Sequence, residues 1–262
     1  MMDTLRRHWP EYLIEAFNLG AFMVSAGMFT VLLEYPGSSL HQALPDPFVR
    51  RVLMGLAMGL TAVALIYSRW GRRSGAHMNP ATTLAFFRLG KVGRPDAVFY
   101  VVSQFAGGFA GIAAARLLLG GRLADPAVRY VVTVPGRAGP GVAFGAEFLI
   151  SFLLMSTILW LVSRPRLERA AGLVAGLLVA LYIAFEAPYS GMSMNPARTF
   201  GPALLGMTWT SLWLYFVAPP LGMVAAGELF RRTHPGADHC AKLRHDLSIR
   251  CHFCGKGGTG AG

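Results

Sequence analysis

The chain has 262 residues, of which 54% are hydrophobic and only 14% charged. A soluble domain of this size carries about 25% charged residues to cover its surface, so a water-soluble globule is excluded and a membrane protein is expected. The net charge of +11 does not indicate a nucleic-acid partner, because the basic residues bracket apolar runs instead of lining one polar face.

The N-terminus, "MMDTLRRHWPEYLIEAF", has no short apolar core followed by a small-residue cleavage site. The first apolar run is therefore expected to act as an uncleaved insertion signal. Six apolar runs follow in order, at 11–33, 48–68, 96–119, 142–163, 170–187 and 211–230. Each is near the roughly 20 residues that a helix needs to cross the hydrocarbon core. An even number of spans puts both chain ends on one side. Of the 24 Lys and Arg, 17 lie in the N-terminal tail, the 69–94 connection, the 164–169 connection or the C-terminal tail. Positive residues stay on the cytoplasmic side, so a multi-pass protein of the plasma (cytoplasmic) membrane with both termini cytoplasmic is expected.

Two segments between the spans repeat each other. "SGAHMNPATTLAFFRLG" (74–90) and "SGMSMNPARTFGPALLG" (190–206) agree without a gap at nine of 17 positions. Each follows two spans of its half and precedes the third. A half with three spans must insert opposite to its copy, giving inverted repeats about an axis in the membrane plane. Asn79 and Asn195 are good helix N-caps, and Pro80 and Pro196 suit the first helical position. From there to Gly90 and Gly206 is about three turns, roughly 16 Å, or half a bilayer. Such half-helices survive at membrane depth only inside protein or along a wet cavity. Their N-termini should meet near the midplane, each carrying about half a positive charge, with the two Asn amides adding donors. Gly55/Gly59, Gly107/Gly111, Gly141/Gly145 and Gly172/Gly176 sit four apart, a spacing that lets helices approach closely in lipid.

Arg198 stands alone on the second half-helix, where the first repeat has Thr82. A charge at membrane depth is expensive and marks a functional site. His77, two residues before Asn79, either lines the pore or caps loop backbone. Glu186 either faces the outer vestibule or pairs with Arg198.

The paired Asn79-Pro80-Ala81 and Asn195-Pro196-Ala197 motifs, their "SGAHMNPA" and "NPARTFGPAL" contexts, and the acids Glu15 and Glu147 in the first and fourth spans resemble the aquaporin (major intrinsic protein) family. The likeness covers about residues 10–232. It implies an all-α membrane protein of six transmembrane helices plus two half-helices, with one pore per subunit and no cofactor in it, in a homotetramer. The domains would be an N-terminal tail at 1–10, a channel domain at 11–232 (repeat one about 11–119, repeat two about 142–232) and a C-terminal Cys/His tail at 233–262. Glu15 and Glu147 would accept from loop backbone N–H groups. Counting along the family's motif places a selectivity filter at Arg198, Met192, Ile183 and either Met58 or Gly59. This wall is apolar apart from Arg198 and departs from the usual water-selective pattern, which has a His in the fifth span and an aromatic in the second. The glycerol-conducting branch usually has Asp after the Arg, where this chain has Thr199.

Passive passage of water is the leading expectation. The alternative is a pore for small uncharged solutes such as ammonia, hydrogen peroxide, glycerol or metalloid acids. Ion-coupled transporters also use inverted repeats and broken helices, but need an intramembrane ionisable chain to couple ions, and the acids here are tied to the repeat motifs. No nucleophile–base pair lies within the spans, so an enzyme is not expected. The tail "HCAKLRHDLSIRCHFCGKGG" (239–258) falls outside the resemblance. Cys251 and Cys254 form C-x-x-C, and Cys240 with His239, His245 or His252 could complete a four-ligand set, His239 being the first choice. Three thiolates and an imidazole suit Zn²⁺ or another soft metal. A reducing compartment argues against disulfides there.

Overall fold

In hydrocarbon every backbone N–H and C=O must be paired within the chain, so long apolar runs have one outcome, the helix. The computed structural model describes residues 1–237, 239–245 and 248–258, and among them there is no strand. Among the described residues six helical stretches are long and apolar enough to cross a membrane: Met2–Glu34, Pro47–Tyr67, Arg94–Ala124, Gly139–Val162, Glu168–Phe185 and Leu212–Thr233. They are numbered here as spans one to six. Span one has 33 residues, about 50 Å of helix, so it outruns a hydrocarbon core of about 30 Å. Its first turns belong to the face that carries the N-terminus and the described part of the C-terminal tail, the terminal face. Span two starts where Asp46 caps it by accepting from Phe48 N at 2.7 Å, with Pro47 at the first helical position.

Between spans two and three lies a half-helix, Pro80–Arg88, and between spans five and six another, Pro196–Leu205. The packing pattern shows the inverted repeat. Span one runs along span three, and span four along span six in the same way. Span two packs on span five across the axis. Each half-helix crosses to the other half: the first packs on span six and the second on span three. Of the expected C-terminal tail, Asp238, Asp246, Leu247 and residues 259–262 lie outside the described residues.

The close approaches are made by small residues, with one correction to the sequence reading. A Cβ on Gly59 would sit 2.5 Å from Gly176 O, and one on Gly107 or Gly111 would strike the backbone of Ala16 or Gly20 in span one. Around Gly141 and Gly145, by contrast, nothing lies within 4 Å of a built Cβ. Their spacing matches the packed pairs, but their helix face is turned away from the rest of the chain. Gly107→Val should therefore destabilise the purified protein by about 1–3 kcal/mol through overpacking. Gly145→Ala should stay within about 0.5 kcal/mol of the parent. Thermal unfolding in detergent measures both, and equal midpoints for the two variants would refute the assignment of the packed face.

Candidate functional site

Each half-helix is preceded by a loop that cannot satisfy its own backbone, and one buried carboxylate per half does so. Glu15 Oε1 accepts from Ser74 Oγ (2.7 Å) and His77 N (3.1 Å), and Oε2 from Met78 N (2.6 Å) and Gln104 Nε2 (2.8 Å). Glu147 repeats this: Oε1 accepts from Ser190 Oγ (2.8 Å) and Ser193 N (2.6 Å), and Oε2 from Met194 N (2.7 Å). Ser74 and Ser190 in turn accept from Ala76 N and Met192 N. Tyr100 and Tyr215 each donate to the carbonyl of that serine. Four loop residues with side chains, Ala76, Met78, Met192 and Met194, are held at positive φ (53°, 48°, 50° and 53°). That conformation is costly outside glycine, and the carboxylate bonds on either side hold it in place.

At the loop tips the two halves touch. Asn79 Nδ2 donates to Met194 O and Asn195 Nδ2 to Met78 O, both at 2.7 Å. The side-chain oxygens cap their own half-helices, Asn79 Oδ1 accepting from Ala81 N and Asn195 Oδ1 from Ala197 N and Arg198 N. Each amide has a second N–H, and both asparagines border the central cavity. Pro80 and Pro196 open the half-helices beside the fully buried Ala81 and Ala197. Ala197 O lies where a Cβ on Gly108 of span three would be, 2.6 Å away.

The cavity, about 390 Å³, runs along the axis of the bundle. Glu34, Arg51 and Arg129 border it at the face opposite the terminal face, and Ile66, Ala175 and Leu243 at the terminal face. His77, Met58, Ile183, Met192 and Arg198 line it between. Gly59, the alternative to Met58, does not: it is turned into the contact with span five, because neighbouring helical residues point about 100° apart. Glu15 and Glu147 stand behind the loops rather than on the cavity. The Arg198 guanidinium donates to Thr133 Oγ1. Among the described residues, neither carboxylate oxygen of Glu186 has a hydrogen-bond partner, so the pairing of Glu186 with Arg198 is not formed.

Two segments shape the cavity that sequence reasoning left out. The link between the halves folds back over the mouth, and Val128, Arg129, Val131 and Val132 line the cavity there. Gly136 N donates to Tyr189 O at 2.9 Å to hold it down. The link, at 120–138, has neither helical nor strand periodicity, so nothing in the sequence marked it as wall. The second segment is the C-terminal tail. His77 Nε2 donates to Ala241 O at 2.6 Å, and the His77 ring stacks between Phe86 and Phe253. His77 thus both lines the cavity and holds backbone, although the backbone is the tail's. Its other nitrogen meets Thr83 Oγ1 at 3.0 Å.

In the tail, Cys240, His245, Cys251 and Cys254 bring one ligand atom each within 4.8 Å of the others. All three cysteines are free thiols. The Cys240 thiol donates to Cys251, which pushes the Cys251 thiol well below its usual range and Cys240 above it. The expected histidine, His239, is not in this group. It packs edge-on against the Phe230 ring at 5.5 Å, with Nδ1 on Ala237 O. The His239 ring is taken up by its packing on the end of span six, while Cys240 faces the group. Burial pushes His252 down to about 3, with Lys242 adding to the shift. Its neutral Nε2–H donates to Tyr100 OH at 2.9 Å.

Six spans and two half-helices in inverted halves, their N-termini meeting on one axial cavity, define a membrane channel. The chain belongs to the major intrinsic protein family, the aquaporins, whose family model (Major intrinsic protein) matches residues 7–230. Aquaporin NIP1-4 of Oryza sativa subsp. japonica is 38% identical over 232 residues, covering 87% of this chain and 80% of that protein. Aquaporin NIP1-1 of Arabidopsis thaliana is 38% identical over 224 residues, covering 84% and 72%. Aquaporin-4 of Mus musculus is 35% identical over 187 residues, covering 70% and 56%. The X-ray structure of the aquaglyceroporin from Plasmodium falciparum superposes with a TM-score of 0.71 at 19% identity, covering 85% of this chain and 95% of that one. That last likeness concerns the fold.

Glu147→Gln should test the loop support. The amide nitrogen of the new side chain would face a backbone N–H, leaving a buried donor without an acceptor, and should destabilise the protein by about 1–3 kcal/mol. Unfolding in detergent reads this, and an unchanged midpoint would mean that the loop does not rely on the carboxylate.

Proposed function

We propose that this chain is a passive pore for small uncharged solutes, water among them. The observation that carries the reading is the stretch of wall at the expected filter: Met58, Ile183 and Met192 are apolar there, and Arg198 supplies the hydrogen-bond donor and the charge. A solute with one apolar side and one acceptor can pass such a wall without being fully rehydrated by it, whereas a wall rich in polar groups would favour water. Methionine side chains bend easily and accommodate more than one solute shape. The names of the relatives, aquaporins of plants and mammals, support water or small-solute passage.

Exclusion of ions follows from the centre of the pore. Two half-helix N-termini and two asparagine amides present positive potential and donors at one place. A water there accepts from both sides and donates away from them, so the chain of waters reverses its orientation and protons cannot hop through. Arg198 repels cations a second time, on the half away from the termini. We read residues 11–232 as the channel domain and 233–262 as an appended Cys/His module. In this reading the chain sits in the plasma membrane as a homotetramer, with both termini in the cytoplasm, where the excess of Lys and Arg belongs.

Stopped-flow swelling of proteoliposomes with water, glycerol, urea and hydrogen peroxide tests this reading. Permeability should exceed that of protein-free vesicles with no proton conductance. Arg198→Val should keep water flow and raise glycerol passage by roughly threefold or more, because it widens the wall and removes its charge. Rates at the protein-free level for every solute would overturn the channel reading. An unchanged solute ranking in Arg198→Val would remove Arg198 from the filter.

A further inference from the structure

The channel chemistry leaves the tail unexplained, although the tail reaches the pore. Leu243 is buried and borders the cavity at its terminal-face mouth, and Leu243 N donates to Gly75 O at 3.2 Å. Its neighbours hold the same place. Ala241 O accepts from His77, and Lys242 Nζ donates to Arg73 O at 2.6 Å and Arg72 O at 3.3 Å. Lys242 is only 2% exposed, unusual for a lysine in a terminal tail.

The Cys/His group brackets this insert. Cys240 stands just before Ala241–Leu243, and His245 two residues after it. The other two ligands come from the following turn. There Cys251 N donates to Lys256 O and Gly255 N to Cys251 O, both at 2.8 Å, with Gly255 at φ +71°. Between Cys251 and Cys254, Phe253 stacks on His77 with ring centroids 5.5 Å apart and planes within 5°. A single ion at this group would thus tie both ends of the insert to a turn that is itself packed on the pore loop.

The distances suit such an ion. Tetrahedral Zn–S bonds of about 2.3 Å place sulfurs about 3.8 Å apart, and a Zn–N bond of about 2.0 Å brings a nitrogen slightly closer. Cys240 Sγ and Cys251 Sγ are 3.5 Å apart, and Cys254 Sγ and His245 Nε2 are 3.3 Å apart. A disulfide would require about 2.05 Å. Thiolate and imidazole donors select soft or borderline cations over Mg²⁺ or Ca²⁺.

We infer that Cys240, His245, Cys251 and Cys254 bind a soft divalent cation of the Zn²⁺ class, and that the loaded site clamps Leu243 into the mouth of the pore, so that metal occupancy closes the channel. The closure rests on the channel reading above; the metal site does not. Binding displaces thiol protons to solvent as the sulfurs coordinate. Without the ion, a short polar segment with three buried residues has little to offset its conformational entropy, and it leaves the mouth.

The full-length protein, purified with reduced thiols, tests this by three measurements. Elemental analysis should find about one Zn²⁺ per chain in the parent and none in a Cys251→Ser/Cys254→Ser variant. Trypsin should cut the tail, at the exposed Arg250, several times faster in chelator than with Zn²⁺. In vesicles with Zn²⁺ or chelator on both sides, water permeability of the parent should rise roughly threefold or more when metal is removed. The double serine variant should hold the chelated level in both conditions, and Leu243→Gly should keep its metal yet lose the metal dependence of flow. Absence of stoichiometric metal, or tail cleavage unchanged by it, would overturn the site. Bound metal with equal flow in both conditions would overturn the closure. Absence of flow in every condition counts against the channel reading, and the metal count and the cleavage rates then judge the site independently.

Discussion

A backbone that leaves the helix inside a membrane needs acceptors for its N–H groups, and water is not there to supply them. Everything on the axis of this molecule depends on how that need is met. One carboxylate per half, Glu15 or Glu147, accepts from two consecutive loop N–H groups and from a loop serine. Because each acid stands on the first span of its own half, this bond closes each half on itself. The amides of Asn79 and Asn195 then reach across to the opposite carbonyls and close the halves on one another. Position within a half and position between halves are thus held by different groups. The strained loop residues stay where they are because both sets of bonds act on the same four or five residues.

The features legible in the sequence are those with a period or a duplicate. Apolar length marked the six spans, and the doubled Asn-Pro-Ala segment with glycine at its end marked the half-helices. The acids at 15 and 147 stood out because each interrupts an apolar run. What was not legible depends on rotation and long-range register. Met58 and Gly59 are neighbours, and only the packing of Gly59 on Gly176 decides which of them faces the cavity. Gly141 and Gly145 share the spacing of the packed glycines, yet spacing describes one helix and says nothing of what covers it. In the sequence His239, beside Cys240, is the first choice of fourth ligand, ahead of His245. The turn of the tail around Leu243 selects His245 instead, and no local signal announces it.

The two mouths of the cavity are finished by the least regular parts of the chain. On one side the link between the halves contributes Val128, Arg129, Val131 and Val132; on the other the tail contributes Leu243. The helices alone would enclose a shorter passage with wider ends. Inverted symmetry governs the middle of the protein and stops at its rims, where two unrelated segments do the same job of narrowing.

The loss of symmetry is sharpest at the pair Arg198 and Thr82, matching positions of the two half-helices, of which Arg198 carries a charge and Thr82 donates to Met223 Sδ. An uneven wall of this kind does not make a one-way valve. In a passage with no source of work, every elementary step is matched by its reverse, and the free energies at the two ends alone decide the sign of net flow. The Arg198 guanidinium makes the wall unequal about the midplane, so a charged species entering from one side would meet it at a different depth than one entering from the other, while the sign of net flow is unchanged.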